Sequence, residues 1–163
     1  MTLSPMTLTP ESRALIDREI AKYPTDQKQS AVMSALRIAQ QEKGWLSSET
    51  IQSVADYLGM PRIAAYEVAT FYNMYDTRPR GKYKLMICTN LPCRVTWQHD
   101  AGAYLKKKLE IGFGETTEDG KFTLIEGECM GACGDAPVMI VNNHRMCSFM
   151  SPEKIDQLLA ELE

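Results

Sequence analysis

No apolar run in the 163-residue chain approaches the roughly 18–20 residues that span a bilayer, so no membrane insertion is expected. Met1 to Thr9 has neither a basic stretch nor an apolar stretch, and no secretory leader is expected there. No Cys-x-x-Cys occurs, which speaks against a thiol–disulfide oxidoreductase and against the tight knuckles of structural zinc sites. No G-x-G-x-x-G occurs, so the dinucleotide fingerprint is missing. Basic charge is not in excess: the formal net charge is -3, whereas nucleic-acid binding rests on neutralising phosphates with Lys and Arg, and no nucleic-acid partner is expected. Internal repeats and low-complexity segments are also missing. These absences point to a cytoplasmic setting, where thiols stay reduced and cysteines serve metals or catalysis rather than disulfides.

Against that background the cysteines stand out. Four of the five fall into two short pairs, Cys88–Thr–Asn–Leu–Pro–Cys93 and Cys129–Met–Gly–Ala–Cys133. Each pair follows a strand-like run, residues 83–87 and 122–125, so each sits on a loop mounted on a rigid strand end. Two thiolate pairs suit a site with four sulfur ligands. A [2Fe-2S] cluster needs two thiolates at each iron, and loops of four and three residues are wide enough for it. The spacing favours the cluster and leaves zinc open. Gly127, Gly131 and Gly134 would let backbone N–H groups approach the sulfurs, a lever on reduction potential. The fifth cysteine, Cys147, lies far from either pair and reads as a half-buried strand residue.

The two halves differ in period. In the first, Thr9-Pro10 opens a helix with Ile16, Ile20 and Tyr23 on one face, and Pro24 ends it. Asp26 is expected to cap a second helix with Val32, Ala35, Leu36 and Ala39 inward, ending at Gly44. Ser47 or Ser48 caps a third, with Ile51, Val54, Ala55 and Leu58 at helical spacing and Gly59 just past it. Pro61 opens a fourth through Ile63, Tyr66, Glu67 and Phe71. Tyr75 to Gly81 reads as a linker.

The second half predicts a strand at 83–88, a helix near 98–110, a strand at 121–127, a strand at 138–141, a turn at Asn142-Asn143, a return strand at 144–149, and a helix capped by Ser151. Lys106, Lys107 and Lys108 read as a solvated helix end. A β-α-β crossover followed by a hairpin and a helix is a thioredoxin-like order. The expected architecture is α+β, an N-terminal four-helix bundle over 1–78 followed by a thioredoxin-like domain over 79–163.

Several separated motifs then carry a resemblance. Gly81-Lys82-Tyr83 through Cys93, and Cys129 through Cys133-Gly-Asp-Ala-Pro137-Val138, resemble the cluster loops of the thioredoxin-like [2Fe-2S] ferredoxin family. Its members include the NuoE component of bacterial NADH:quinone oxidoreductase, respiratory complex I. Gly44-Trp45-Leu46-Ser47, Val54 to Met60 and Tyr66 to Tyr72 are similar to the helical half of that family, so the likeness runs from about residue 25 to the end.

The resemblance implies one [2Fe-2S] cluster on Cys88, Cys93, Cys129 and Cys133, with no ligand role for Cys147. It implies an oxidoreductase subunit in electron transport that has no complete active site of its own. Such a subunit packs beside the FMN- and NADH-binding subunit, exchanges single electrons with FMN, and joins further peripheral-arm subunits on the cytoplasmic side of the inner membrane. The same subunit type in an NAD-linked hydrogenase or formate dehydrogenase is the alternative, and a zinc-stabilised adaptor a remote one. The sequence departs from many relatives after Cys93, where Arg94-Val95-Thr96-Trp97-Gln98-His99 stands in place of an early glycine.

Blander roles remain for other residues. Residues 51–72 imitate helix-turn-helix spacing, yet the second helix offers Arg62 and then mostly Ala, Tyr, Glu, Val and Phe, which do not read base edges. Trp45 and Trp97 read as core or interface anchors, and His99 and His144 as solvent-facing or locally bonded. Glu126, Glu128 and Asp135 form an acidic rim, and negative charge there would lower the potential of a bound cluster. Tyr66, Phe71, Tyr72, Met74 and Tyr75 crowd one short stretch, more than a small bundle can bury, so some of it is expected to meet the thioredoxin-like half or a partner, and the bundle to help dock the flavin subunit.

Overall fold

The computed structural model describes residues 8–96 and 100–162; Trp97, His99 and the opening residues 1–7 lie outside that range. The chain divides into two compact units, Met1–Pro79 and Arg80–Glu163.

In the first unit the sequence supplies a cap or a stop at five of the eight helix ends: Thr9, Gly44, Ser47, Gly59 and Pro61. Helix α1 spans Pro10–Ile20, and the Thr9 hydroxyl accepts from the Ser12 N–H at 3.2 Å. Helix α2 spans Val32–Lys43 and ends at Gly44; α3 spans Ser48–Leu58, is capped by Ser47 and ends at Gly59. Helix α4 spans Arg62–Phe71 after Pro61. Ile16, Leu36, Leu46, Ile51, Val54 and Ala65 meet in one core. Glu42 of α2 ties itself to the start of α1, accepting from the Thr9 N–H and hydroxyl at 3.2 Å each. Burial pushes the Glu42 carboxyl up, but Lys43, Ser12 and the Thr9 N–H outweigh it and hold its pKa at about 2.

Two expectations need correction here. Asp26 caps nothing; a single 3-10 turn over Lys28–Ala31 intervenes, and α2 starts after Ala31 without a side-chain cap. The linker does not begin at Tyr75. The buried Gln40 amide donates to the Met74 carbonyl at 2.9 Å and accepts from the Asp76 N–H at 2.6 Å, while the Tyr75 hydroxyl donates to the Met33 carbonyl. One polar side chain in α2 thus satisfies the backbone of 74–76 and makes that segment part of the bundle.

The second unit carries strand β1 (Tyr83–Cys88), a short helix α5 (Leu91–Val95), α6 (Ala101–Leu109), β2 (Phe122–Gly127), β3 (Met139–Val141), β4 (Arg145–Cys147) and α7 (Pro152–Glu161). The sheet order is β2-β1-β3-β4. Strands β1 and β2 are parallel, in register from Tyr83↔Phe122 to Cys88↔Gly127, while β3 runs antiparallel to β1 and β4 antiparallel to β3. Leu85, Ile87, Leu124, Met139 and Val141 pack with Leu105 of α6 and Ile155 of α7 in one core. Asp100 caps α6 and Ser151 caps α7. The Tyr104 hydroxyl and Lys108 ammonium of α6 both reach Asp156 of α7, at 2.9 and 3.0 Å.

Asn142 and Asn143 turn the β3–β4 hairpin with φ of 51° and 65°. The Asn142 side chain also accepts from the Lys84 N–H at 2.8 Å and from Arg80 at 3.1 Å, fastening the turn to the start of β1. No helix among the described residues is long and apolar enough to cross a membrane.

Candidate metal centre

Parallel pairing decides where the cysteines go. Because β1 and β2 run the same way, the loops that follow them leave from the same end of the sheet. Cys88 is the last residue of β1, opposite Gly127 at the end of β2. Its N–H donates to the Val138 carbonyl at 3.1 Å, and the next N–H, of Thr89, donates to the Gly127 carbonyl at 2.9 Å. The first ligand candidate is therefore held from both sides by strand backbone.

The chain after Cys88 makes a five-residue helix that the sequence does not announce, α5, with Cys93 as its third residue. It is possible because Arg94, Val95 and Thr96 follow without a glycine; the Thr96 hydroxyl and N–H both return to the Pro92 carbonyl. The Arg94 guanidinium lies 3.8 Å from Asp100, the residue whose carboxylate caps α6.

The second pair sits on a more open loop. Gly131 has φ of 70°, which an L side chain adopts at a cost, and its N–H donates to the Cys129 sulfur at 3.4 Å. Cys133 begins a 3-10 turn over Cys133–Asp135, and the Ala136–Pro137 peptide is cis. The Asp135 carbonyl accepts from the Phe149 N–H, and its carboxylate accepts from the Ser148 hydroxyl at 2.9 Å. The loop is thereby anchored at its far side to the chain that follows β4.

Burial separates the pairs. Cys88 and Cys93 are 6% and 4% exposed, in a cluster with Ala136 and Val138, whereas Cys129 and Cys133 are exposed. Burial pushes the Cys93 thiol up, helped by hydrogen bonding with Cys88 and by the neighbouring Cys88 and Cys133; the Val138 N–H opposes it. The Cys88 sulfur approaches the Glu128 carbonyl at 3.8 Å, which brings the first loop against the second. Among the described residues no three Cys, His, Asp or Glu side chains are placed to hold a single metal ion. The residues fit a two-iron, two-sulfide cluster by donor chemistry: four cysteines on loops at one sheet end, two by two, with backbone N–H groups of Val138 and Gly131 directed at the Cys93 and Cys129 sulfurs.

The other candidates lie elsewhere. Cys147 is in β4, at the edge of the sheet beyond β3, half-buried, with its thiol pushed up by burial. His144 belongs to the turn at the opposite end of the sheet, where its Nδ1 is 2.7 Å from the Asn142 carbonyl oxygen. Glu126, Glu128 and Asp135 are exposed around the loops. Beside the first loop a cavity of about 220 Å³ is lined by Arg94 and Lys106 as well as Asp100 and Glu126, so its charges offset. Sequence reasoning missed α5 and the packing of Met130, a half-buried side chain on the Cys88–Cys93 cluster; a lone apolar residue between two cysteines gives no periodic signal.

Comparison with known proteins agrees with this geometry. A family model described as thioredoxin-like [2Fe-2S] ferredoxin matches residues 16–163. The NADH-quinone oxidoreductase E-subunit from Rickettsia typhi is 46% identical over 130 residues, 79% of this chain and 76% of that one. NADH-quinone oxidoreductase subunit 2 of Thermus thermophilus is 36% identical over 152 residues, 93% of this chain and 84% of that one. A crystal structure of an NAD+-reducing [NiFe]-hydrogenase superposes with a TM-score of 0.66 at 19% identity, over 78% of this chain. This chain spans 22% of that hydrogenase chain, and the likeness is one of fold.

Proposed function

The chain belongs to the thioredoxin-like [2Fe-2S] ferredoxin family, among the E-subunits of NADH-quinone oxidoreductases, and from that premise we propose that it is an electron-transfer subunit holding one [2Fe-2S] cluster on Cys88, Cys93, Cys129 and Cys133. Its partner in this reading is the FMN- and NADH-binding subunit of complex I, on the cytoplasmic side of the membrane, with which it exchanges single electrons. The observation that carries the reading is the delivery of both cysteine pairs to one end of the sheet by the parallel strands β1 and β2.

When bound, the cluster supplies a one-electron site next to a flavin that receives electrons from NADH in pairs. The protein's own residues do the rest. Cys88 and Cys93, buried among Ala136 and Val138, keep water from one side of the site. The Gly131 N–H donates to the Cys129 sulfur and the Val138 N–H to the Cys93 sulfur, where burial otherwise holds the thiol up, and exposed Glu126 and Glu128 add negative charge that disfavours reduction.

Docking falls to the bundle. Its fourth helix turns Ala65 and Ala69 inward and leaves Ile63, Tyr66 and Phe71 exposed at 64%, 41% and 80%. Tyr75, expected in the same surface, is instead a core residue at 7%. Large apolar side chains on the outside of a short helix suit a subunit interface.

The test is direct. The native chain, tagged and purified without oxygen, should be reddish-brown, hold iron and acid-labile sulfide in equal amounts, about two of each per chain, and co-purify with a flavoprotein. Dithionite should produce an S = 1/2 EPR signal. A colourless chain with stoichiometric zinc would sink the electron-transfer reading, and co-purification with hydrogenase or formate dehydrogenase subunits would move it to the soluble NAD-linked relatives.

A further inference from the structure

The second cysteine loop covers the first. Gly127 closes β2, and a Cβ built there would land on the Met130 Cε, with the Met86 Cγ at 2.9 Å behind it. Glycine at 127 leaves the room that the Met130 methyl occupies, since its backbone is ordinary strand and a Cβ there would push that flexible side chain aside. Met130 is half-buried although Cys129 and Gly131 on either side of it are exposed. Its side chain packs against the cluster formed by Cys88, Cys93, Ala136 and Val138. Gly131 follows with φ of 70°, and nothing lies within 4 Å of where its Cβ would be. The chain therefore turns at Gly131 in open space while Met130, the larger of the two loop side chains packed on that cluster (Ala132 is the other), reaches back over the β2 end.

We propose that Met130 is a positioning residue for the cluster, the apolar wall that separates the Cys88 and Cys93 thiols from solvent. The proposal rests on the reading that these thiols hold iron and adds a separate task for a residue lying between the two exposed ligands. An unbranched thioether suits the task, because it fills an irregular gap and leaves it at low cost. The apolar shell around a metal site governs solvent access and, through it, potential. A wall mounted on an exposed, glycine-hinged loop opens by local motion, without unfolding the sheet. The buried pair is then reached only when the loop carrying the exposed pair lifts.

The experiment maps thiol access in the full-length chain, iron-free and reduced, with a pulse of iodoacetamide and peptide mass spectrometry at each cysteine. In the wild type Cys129 and Cys133 react fast, and Cys88 and Cys93 slowly. Met130→Ala should speed Cys88 and Cys93 by about tenfold or more while leaving Cys129, Cys133 and Cys147 unchanged. Met130→Leu should keep the slow rates. Gly127→Ala, which displaces Met130 from the other side, should reproduce the Met130→Ala pattern.

In the iron-loaded chain Met130→Ala should raise the reduction potential, since water stabilises the added charge, and Met130→Leu should not. Unchanged Cys88 and Cys93 rates in Met130→Ala overturn the proposal. So does a parallel rise at Cys147, which would mean general loosening, and so does an unchanged potential. Iron and sulfide content of the wild type judges the cluster reading separately, because the alkylation pattern does not depend on iron.

Discussion

The two cysteine loops start from equivalent places, the ends of paired parallel strands, and solve the same problem in opposite ways. The first runs into a helix at once, keeps its cysteines at 6% and 4% exposure, and is held by the backbone of Val138 and Gly127. The second stays exposed, turns at Gly131, is hydrogen-bonded at its far side through Asp135, and otherwise rests on the first loop through Met130 and the Glu128 carbonyl. The difference teaches that equal ligand chemistry does not mean equal mechanical roles. One loop is a fixed socket, and the other is a cover that also carries ligands.

Serine substitutions are the strongest way to break that contrast. Any of Cys88→Ser, Cys93→Ser, Cys129→Ser and Cys133→Ser should lower iron content, since an alkoxide is a poorer ligand for iron than a thiolate. The buried pair should suffer more, because a hydroxyl placed among Ala136 and Val138 also carries a desolvation cost of about 1–3 kcal/mol. Iron and sulfide analysis, with the melting temperature of the iron-free variants, reads both parts. Equal losses at all four positions would mean that the loops are mechanically alike.

A substitution in the other unit sharpens the contrast by leaving both loops alone. Phe71→Ser, at the most exposed apolar residue of α4, should weaken capture of the flavoprotein by about 1–2 kcal/mol, as truncation of an interface aromatic does. Iron content and EPR spectrum should stay as in the wild type. Loss of iron in this variant would place part of the site's support in the bundle.

Gly131→Val addresses the cover alone. A β-branched residue at φ of 70° should cost about 1–2 kcal/mol, concentrated in the loop. The expected sign is a broadened EPR line and faster iron loss to a chelator, with little change in melting temperature. An identical chelation rate would show that the turn at Gly131 is not needed to hold the loop. The smallest effect belongs to Cys147→Ser, which should leave the EPR spectrum nearly unchanged; loss of the signal there would overturn the ligand set.

Much of the architecture is legible in the sequence where one period dominates. The run Tyr83–Cys88 alternates between the core face and the face of Lys84 and Met86, and the strand spans that run without a residue's error. Ser47, Ser151 and Thr9 cap helices because each stands just before an apolar-periodic stretch. Legibility fails where a distant partner decides the outcome. Asp26 has the right chemistry for a cap, but the 3-10 turn after it delays α2 to Val32. Residues 74–76 look like linker because their partner is Gln40, more than thirty positions earlier. In α4 the inward face belongs to the small Ala65 and Ala69, a choice set by the closeness of neighbouring helices and not by hydrophobicity alone.

For the candidate site, spacing singles out four cysteines, but not which pair is buried, nor that Met130 lies across Gly127. The first depends on how one loop falls over another some forty residues away, and the second on which way a side chain three residues from Gly127 turns, which no periodicity announces.

The ladder between β1 and β2 also governs how the chain can change length. The separation of the two cysteine loops is set by the Cys88↔Gly127 register, not by the long connection from α5 to β2. That connection runs along the outer edge of β2 through the Thr116↔Thr123 bridge and then turns at exposed Glu118, Asp119 and Gly120. Residues inserted at that tip would lengthen the molecule's outline and leave the cysteine geometry intact. A single residue inserted into β1 would move every side chain beyond it to the other face of the sheet and carry Cys88 away from its partners. Length is free at the margin and rigid at the centre, so homologous chains of different size should differ at the tip long before they differ in the strands.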